Sequence, residues 1–579
     1  MALPFPAEAR AEGEGCAGSQ CTIRSLLPDQ LQEPAEQHPH LMQYLHLVPI
    51  KDVGVPEYYE VPNRSLADLP RRNLIYRANE EIFIHIFADA EDARDYYIAI
   101  EPAMLEDIQP VLQALERRLL NYVEELSSAT TEEEKAQVLL RAVEENCVVS
   151  DKAEKVESKA QKSSGLFGLF AKGSAEAPLR VTAAQFAALK YILVRDKLRM
   201  GALEPCLQDS YIEDISCSGV GPLFIEHKIF KGLKSNIAFE THEELDEFVL
   251  RMAERIGKPV TYKNPIVDAT LLDGSRINIV FGSDVSKQGS NFTIRKFAST
   301  PLSIIDIISS GGVDYTMAGY LSLMVAEGMN VFVSGETASG KTTLLNALAA
   351  FVSPDAKIVS IEDTPEFQVP HPNWIREVVR GSLSAGDSSV SMFSLLKAAL
   401  RQRPNLIVVG EIRGEEGAIA FQAMQTGHAV MATFHASTVE KLIQRMTGNP
   451  INVPKAYIDN LNVVVICSAV RLPDGRRGRR ILSVSELVGY DKSTDSFAFV
   501  EVFRWNSAND TFEFTGNMNS YLLENQIAHK RGIPVQNKRV IYQELERRAA
   551  LFQRLAEQGK NDFYELYTIF SKAQREGLL

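Results

Sequence analysis

The sequence predicts an α/β fold whose centre is a parallel sheet covered on both faces by helices. Two observations carry that prediction. From about Pro301 onward, runs of Val and Ile alternate with helical stretches: a strand at 330–334, a helix at 342–352, a strand at 357–362, a helix at 393–401 and a strand at 405–409. Runs of Val and Ile flanked by polar turns and separated by helices indicate a parallel sheet covered on both faces. The second observation is a glycine-rich turn set between the first of these strands and the first helix. The remainder of the chain has a different texture, with short strands and frequent turn signals, and reads as smaller α+β regions.

Taken in order, residues 1–43 open with an Ala-, Gly-, Glu- and Pro-rich stretch and read as a disordered tail. Residues 44–149 read as an N-terminal α+β domain, with a buried strand at 82–87 and amphipathic helices at 108–126 and 132–145. Residues 150–178 have a linker's Lys/Glu/Ser/Gly/Ala composition, interrupted by one short apolar island at 165–170. A second α+β domain spans 179–298, with a helix at 183–199, strands at 223–225 and 276–281, and turns at Ser218-Gly219, Asp273-Gly274 and Gly289-Ser290. The α/β core occupies 299–480. A C-terminal subdomain, 481–579, is strand-rich to 514 and helical and charged from about 538.

Composition narrows the function classes. The 579 residues are 45% hydrophobic and 23% charged, which excludes collagen-like and wholly disordered chains. The net charge of −14 argues against a general nucleic-acid coat, so nucleic acid is not expected as a partner. The six cysteines form no C-x-x-C pair, which leaves a zinc knuckle or thioredoxin motif unsupported and suits a reducing cytosol. No basic segment followed by an apolar core follows Met1, and no run reaches the roughly 18 apolar residues of a membrane span. Any work at a membrane is therefore expected from outside the bilayer.

The glycine-rich turn is Gly335, Glu336, Thr337, Ala338, Ser339, Gly340, Lys341, Thr342 and Thr343, a match to G-x-x-x-x-G-K-[ST] between strand and helix. Its glycines let backbone N–H groups close around phosphates, and the helix N-terminus adds its dipole. Lys341 reaches the β and γ phosphates and the Thr342 hydroxyl ligates Mg²⁺. Two acidic strand ends accompany it. The strand at 357–362 runs into Glu362, Asp363 and Glu366, where a carboxylate would activate the water attacking a γ-phosphate. Glu362 is the first choice and Glu366 the alternative. The strand at 405–409 runs into Gly410, Glu411 and Arg413. A glycine thus stands where many such strands carry a Mg²⁺-coordinating Asp, and Glu411 is assigned to Mg²⁺ through water or to placing the nucleophile. His428, after Thr426-Gly427, and His435, after Thr433-Phe434, bracket a further strand and are read as γ-phosphate sensors.

In this order and spacing, these motifs resemble the secretion ATPases of the type II secretion and type IV pilus superfamily, most closely its archaeal branch. The resemblance covers roughly 179–480. It implies a RecA-like P-loop core using ATP and Mg²⁺, assembled as a homohexamer whose domain motions drive a polytopic membrane platform protein at the cytoplasmic face of the membrane. It also implies that arginines of the preceding domain reach the nucleotide. Arg276, in Gly274-Ser-Arg-Ile-Asn278, and Arg295, in Phe292-Thr-Ile-Arg-Lys296, match those positions. The four-cysteine zinc module of bacterial members is missing, so no zinc is expected. The alternatives are a conjugation-type DNA-transfer ATPase of the same fold and a nucleotide-gated scaffold with negligible turnover.

Two signals are set aside. Arg476, Arg477, Arg479 and Arg480 follow Asp474-Gly475 and read as a hairpin tip. His38, His40 and His46 have no Cys or carboxylate framework for a metal.

Overall fold

A computed structural model describes residues 3–5, 23–88, 94–106, 108–150, 177–271, 273–297, 300–380 and 389–577. The chain divides into two units, Met1–Phe297 and Ala298–Leu579.

Unit 1 is built on one ten-stranded sheet. Its strands are β1 (Glu57–Tyr59), β2 (Asn73–Arg77), β3 (Phe83–Phe87) and β4 (Tyr96–Ile100), then β7 (Ile212–Cys217), β8 (Gly221–His227), β9 (Lys231–Phe239), β10 (Ile266–Thr270), β11 (Arg276–Val280) and β12 (Asn291–Arg295). Their order is β1-β2-β3-β4-β9-β8-β7-β12-β11-β10. Short strands β5 (Cys147–Val149) and β6 (Leu179–Val181) pair separately, in parallel. The island at 165–170, and nearly all of the expected linker, lies outside the described residues.

The sequence places two domains where the structure has one sheet. β4 pairs in parallel with β9 through Tyr96↔Lys234 and Tyr97↔Ser235, and the Asn236 side chain then carries the ladder on to the backbone of Ala99. A buried polar network crosses the same join. Asp209, fully buried, accepts from the Tyr76 hydroxyl at 2.5 Å, the Tyr97 hydroxyl at 3.1 Å and the Tyr211 N–H at 2.8 Å. The Lys296 ammonium closes it by donating to the carbonyls of Cys206, Leu207 and Asp209. Burial pushes the Asp209 carboxyl up, against the pull of these donors.

The expected tail also needs correction. Helices Asp29–Gln37 and Pro39–Leu47 bury Leu31, Ala35, Leu41, Tyr44 and Leu45 against Ile75, Phe83 and Ile98 of the sheet. Leu31 and Ala35 stand four apart, on one helical face, inside a composition that otherwise reads as loose chain.

Unit 2 carries a nine-stranded sheet: β13 (Val331–Gly335), β14 (Ile358–Glu362), β15 (Trp374–Val378), β16 (Leu406–Val409), β17 (Ala429–Phe434), β18 (Val463–Arg471), β19 (Arg477–Asp491), β20 (Ser496–Asn506) and β21 (Thr511–Glu513). The order is β15-β14-β16-β17-β13-β18-β19-β20-β21. The first six strands are parallel, as the Val/Ile runs of β13, β14 and β16 predict, and the last three continue the sheet in antiparallel sense. The segment after 480 is therefore not a separate subdomain. Its strands extend the core sheet, and helices Ile541–Glu557 and Phe563–Arg575 set Leu545, Phe552 and Phe570 into the same core as Tyr320 and Phe351. This is a RecA-like P-loop architecture, and its parallel strands all end on one edge, where such sheets bind ligands.

Candidate nucleotide site

The site grows from the end of β13. Gly335 has φ +154°, and a Cβ there would come within 2.1 Å of the Cys467 carbonyl on neighbouring β18, so no other residue fits. The chain then wraps through Ala338 at φ +62° and Gly340 at φ +93° before helix Lys341–Ala349 begins. A left-handed alanine costs roughly 1–2 kcal/mol. Interleaved left-handed residues turn successive N–H groups inward to form an anion-binding concavity. The Lys341 ammonium, 8% exposed, donates to the Gly335 and Glu336 carbonyls at 3.1 and 2.8 Å, inside the loop. Burial lowers its pKa, and Glu411 pulls in the opposite direction. Ser339 Oγ is buried with no hydrogen-bond partner among the described residues, an orphaned donor in the cradle. Thr342 and Thr343 sit half-buried in the helix's first turn.

At the end of β14, Glu362 is 2% exposed. One carboxylate oxygen, Oε1, accepts the N–H groups of Glu366 at 2.9 Å and Phe367 at 2.7 Å. The other, Oε2, has no hydrogen-bond partner among the described residues, and the Arg376 guanidinium stands 3.8 Å from it. Burial pushes Glu362 up to about 7, against those N–H groups and Arg376. Glu366 is exposed, and its backbone does the local work: its N–H holds Glu362, and its carbonyl accepts from Asn346 at 3.2 Å.

At the end of β16, the glycine at 410 has a steric cause. A Cβ there would stand 3.1 Å from Glu362 Cγ and 3.3 Å from its Cβ, so the Glu362 side chain occupies the space an aspartate would need. Glu411 follows, with both oxygens engaged: Oε2 with Arg413 at 2.6 Å and Oε1 with His435 Nε2 at 3.1 Å. Burial pushes Glu411 up, but the Arg413 hydrogen bond and the charges of Arg413, His435 and Lys341 outweigh it and hold the carboxyl below its usual range. Arg413 also reaches Asp363 at 3.5 Å.

β17 delivers His435 at this same edge. The Ser334 hydroxyl bonds the Ala436 carbonyl at 2.8 Å and accepts its N–H at 2.9 Å, which clamps the turn after His435 onto β13. Burial and the Lys341 charge lower the His435 pKa. His428 is a different matter. It precedes β17, whose six residues at ~3.3 Å each put it roughly 20 Å away at the opposite edge of the sheet, hydrogen-bonded to Thr426. The two histidines therefore do not converge on one phosphate within the chain, because a strand separates them.

Arg276 and Arg295 belong to unit 1, where they are register partners on β11 and β12. Each faces a carboxylate: Arg276 pairs bidentately with Asp268 at 2.6 and 3.1 Å, and Arg295 with Asp214 at 3.1 Å. Both are exposed.

Two arginines that the sequence reading missed join the site. Arg376, on edge strand β15, lies beside Glu362 and over the Trp374 ring at 5.3 Å. Arg479, in the set-aside basic run, donates from Nε to the Ala338 carbonyl at 3.1 Å. Next to the phosphate loop, a cleft of about 440 Å³ is lined by Gly335, Glu336, His435, Lys441 and Arg445 among others.

Fold and site together define a P-loop protein with carboxylates gathered at the ends of the strands beside the loop. The family profile described as Type II/IV secretion system protein matches residues 197–478. An uncharacterised protein of Methanocaldococcus jannaschii is 41% identical over 551 residues, spanning 95% of this chain and 97% of the relative. A probable conjugal transfer protein, TrbB, of Sinorhizobium fredii is 32% identical over 287 residues, 48% of this chain and 85% of that protein. Among solved structures, the pilus retraction motor PilT with bound ADP is 19% identical at a TM-score of 0.36, covering 49% of this chain and 81% of that one. The chain belongs to the type II/IV secretion system protein family.

Proposed function

We propose that this chain is a motor ATPase that hydrolyses ATP with Mg²⁺ and, as a homohexamer, drives pilus-like assembly or type II-like secretion from the cytoplasmic face of a membrane. The observation that carries the reading is Glu362: buried at a strand end, with one oxygen pinned by two N–H groups, the other without a hydrogen-bond partner among the described residues, and a pKa pushed by burial to about 7. A general base works best when poised near the operating pH.

In this mechanism the loop N–H groups and Lys341 bind and neutralise the triphosphate. Glu362 Oε2 takes the proton of the attacking water, while the two N–H groups on Oε1 keep the carboxylate oriented. Glu366, exposed, is the weaker candidate for base. Mg²⁺ would be held by the Thr342 hydroxyl, with Glu411 acting through water because Arg413 and His435 already engage both of its oxygens; the ion would supply charge neutralisation on the phosphates. The donors suit it, since Mg²⁺ takes oxygen ligands and keeps several waters. His435, hydrogen-bonded through Glu411 to this group, reads the γ-phosphate. Arg276 and Arg295 supply cations to the nucleotide by exchanging Asp268 and Asp214 for phosphate. The proposed partner is a polytopic membrane platform protein; among the described residues of this chain no helix is long and apolar enough to cross a membrane.

The test is Mg²⁺-dependent ATP hydrolysis measured against protein concentration, with solution mass followed alongside. Turnover that rises as a hexamer forms supports the motor; tight nucleotide binding without turnover at any mass moves the function to a gated scaffold. The conjugal transfer relative favours a second reading, a DNA-transfer ATPase. Stimulation of turnover by DNA, and not by lipid vesicles, would select it.

A further inference from the structure

The basic run after Asp474-Gly475 is sorted by the sheet into separate tasks. Arg476 turns back on Asp474 at 2.7 Å. Arg480 points to the buried side and pairs with Asp510 through two bonds of 2.7 Å. Arg479 takes the other face, as neighbours on a strand must.

That face belongs to the phosphate loop. β18 runs alongside β13 to the pair Gly335↔Cys467, and the β18–β19 hairpin continues past it as Ala469↔Arg479 and Arg471↔Arg477. Pairs two positions apart share a face, so Arg479, Arg477 and Arg471 form one row that starts at the loop and leads away from it. Among the described residues the row makes no ion pair. Only its first member touches the loop: Arg479 Nε donates to the Ala338 carbonyl at 3.1 Å, and its Cδ lies 3.4 Å from the place of a Cβ on Gly340.

Ala338 is where the loop needs help. It is left-handed without being glycine, and it sits one residue before the buried, unpartnered Ser339 hydroxyl. A guanidinium on its carbonyl fixes that carbonyl outward, which leaves the following N–H groups turned into the anion-binding concavity.

We infer that Arg479 is a positioning residue of the nucleotide site, holding the crown of the phosphate loop in its anion-binding shape through the Ala338 carbonyl. This rests on the nucleotide-site reading above and adds a residue to it. Arg479 acts on affinity for the di- or triphosphate rather than on the chemical step, because it touches the loop and none of the carboxylates.

The test is titration of the full-length protein with a fluorescent ADP analogue, together with KM and kcat for MgATP, in wild type, R479M and R477M. R479M keeps the aliphatic stem over Gly340 and deletes the donor. R477M removes one charge from the same row without touching the loop. The expected result is about ten-fold weaker ADP binding and a similarly raised KM in R479M, with kcat within about two-fold and R477M close to wild type. R479M matching wild type overturns the inference alone, as does an equal loss in R477M, which would make the effect one of bulk charge. If R479M does not fold, R479K, charged but without the guanidinium's planar donor set, is expected to show a smaller loss of the same kind, and wild-type affinity in it overturns the inference. A wild-type protein that binds no ADP analogue, with K341A no different from it, overturns the nucleotide-site reading and this inference together.

Discussion

Gly410 yields its side-chain space to Glu362: a Cβ on the glycine would press on the Glu362 stem at 3.1 to 3.4 Å, a contact spread over its Cα, Cβ and Cγ. Two acidic strand ends are thus reduced to one buried carboxylate, and the neighbouring strand contributes Glu411 one residue later. Because a carboxylate stem anchored by two N–H groups has little room to give, G410A should displace Glu362. Turnover is expected to fall at least ~10-fold with ADP affinity unchanged. G410D, which restores an aspartate to that strand position, should do worse. Steady-state kinetics beside an ADP titration check both.

The raised Glu362 pKa also makes a stability prediction. A carboxyl whose folded pKa, about 7, lies above its unfolded value binds its proton more tightly in the folded state. Its contribution to stability is therefore full below about pH 4.5 and is lost as pH rises toward 7. E362Q keeps an oxygen for the Glu366 and Phe367 N–H groups and cannot ionise. Its melting temperature should rise relative to wild type between pH 5 and pH 8, by the equivalent of roughly 1–3 kcal/mol. Paired thermal unfolding curves at the two pH values check it.

His428 and His435 look alike in the sequence, each in a short polar motif beside one strand, and periodicity cannot say which end of that strand meets the phosphate. The parallel pairing of β17 with β13, Ser334↔Phe434, brings the His435 end, and not the His428 end, beside the phosphate loop. H435A is expected to lower turnover by ~10-fold or more because it also strips a partner from Glu411. H428A should leave single-turnover hydrolysis within about two-fold of wild type. Quenched-flow measurement of the two variants separates them.

Tyr76 and Asp209 tie residues that the sequence assigns to two domains. Y76F leaves a fully buried carboxylate short of one donor, which costs about 1–3 kcal/mol. The expected result is a lower denaturation midpoint for the whole of unit 1, read by hydrogen exchange across both β2 and β7. Protection lost in β2 alone would contradict the single-sheet description.

What was legible in the sequence follows from what local patterns encode. Val331, Phe332 and Val333, with the glycines around Lys341, announce strand, loop and helix because each requirement is local. The join of β4 to β9 was not legible, since Tyr96 and Lys234 are far apart in the chain and no local pattern records their pairing. Helix Asp29–Gln37 was hidden by Ala, Glu and Pro, although Leu31 and Ala35 mark its buried face. Arg479 was hidden by its neighbours: four arginines around one glycine look like a solvated tip until strand alternation sends Arg479 and Arg480 to opposite faces.

Whether Glu362 is the base of an ATP hydrolase is decided by pre-steady-state hydrolysis of MgATP by wild type and E362Q across pH 5.5 to 8.5. If it is, wild-type turnover rises with pH through about 7, as Glu362 loses its proton, and E362Q binds ATP normally but hydrolyses it ~10²–10⁴-fold more slowly. An E362Q protein with wild-type turnover and the same pH profile would contradict it.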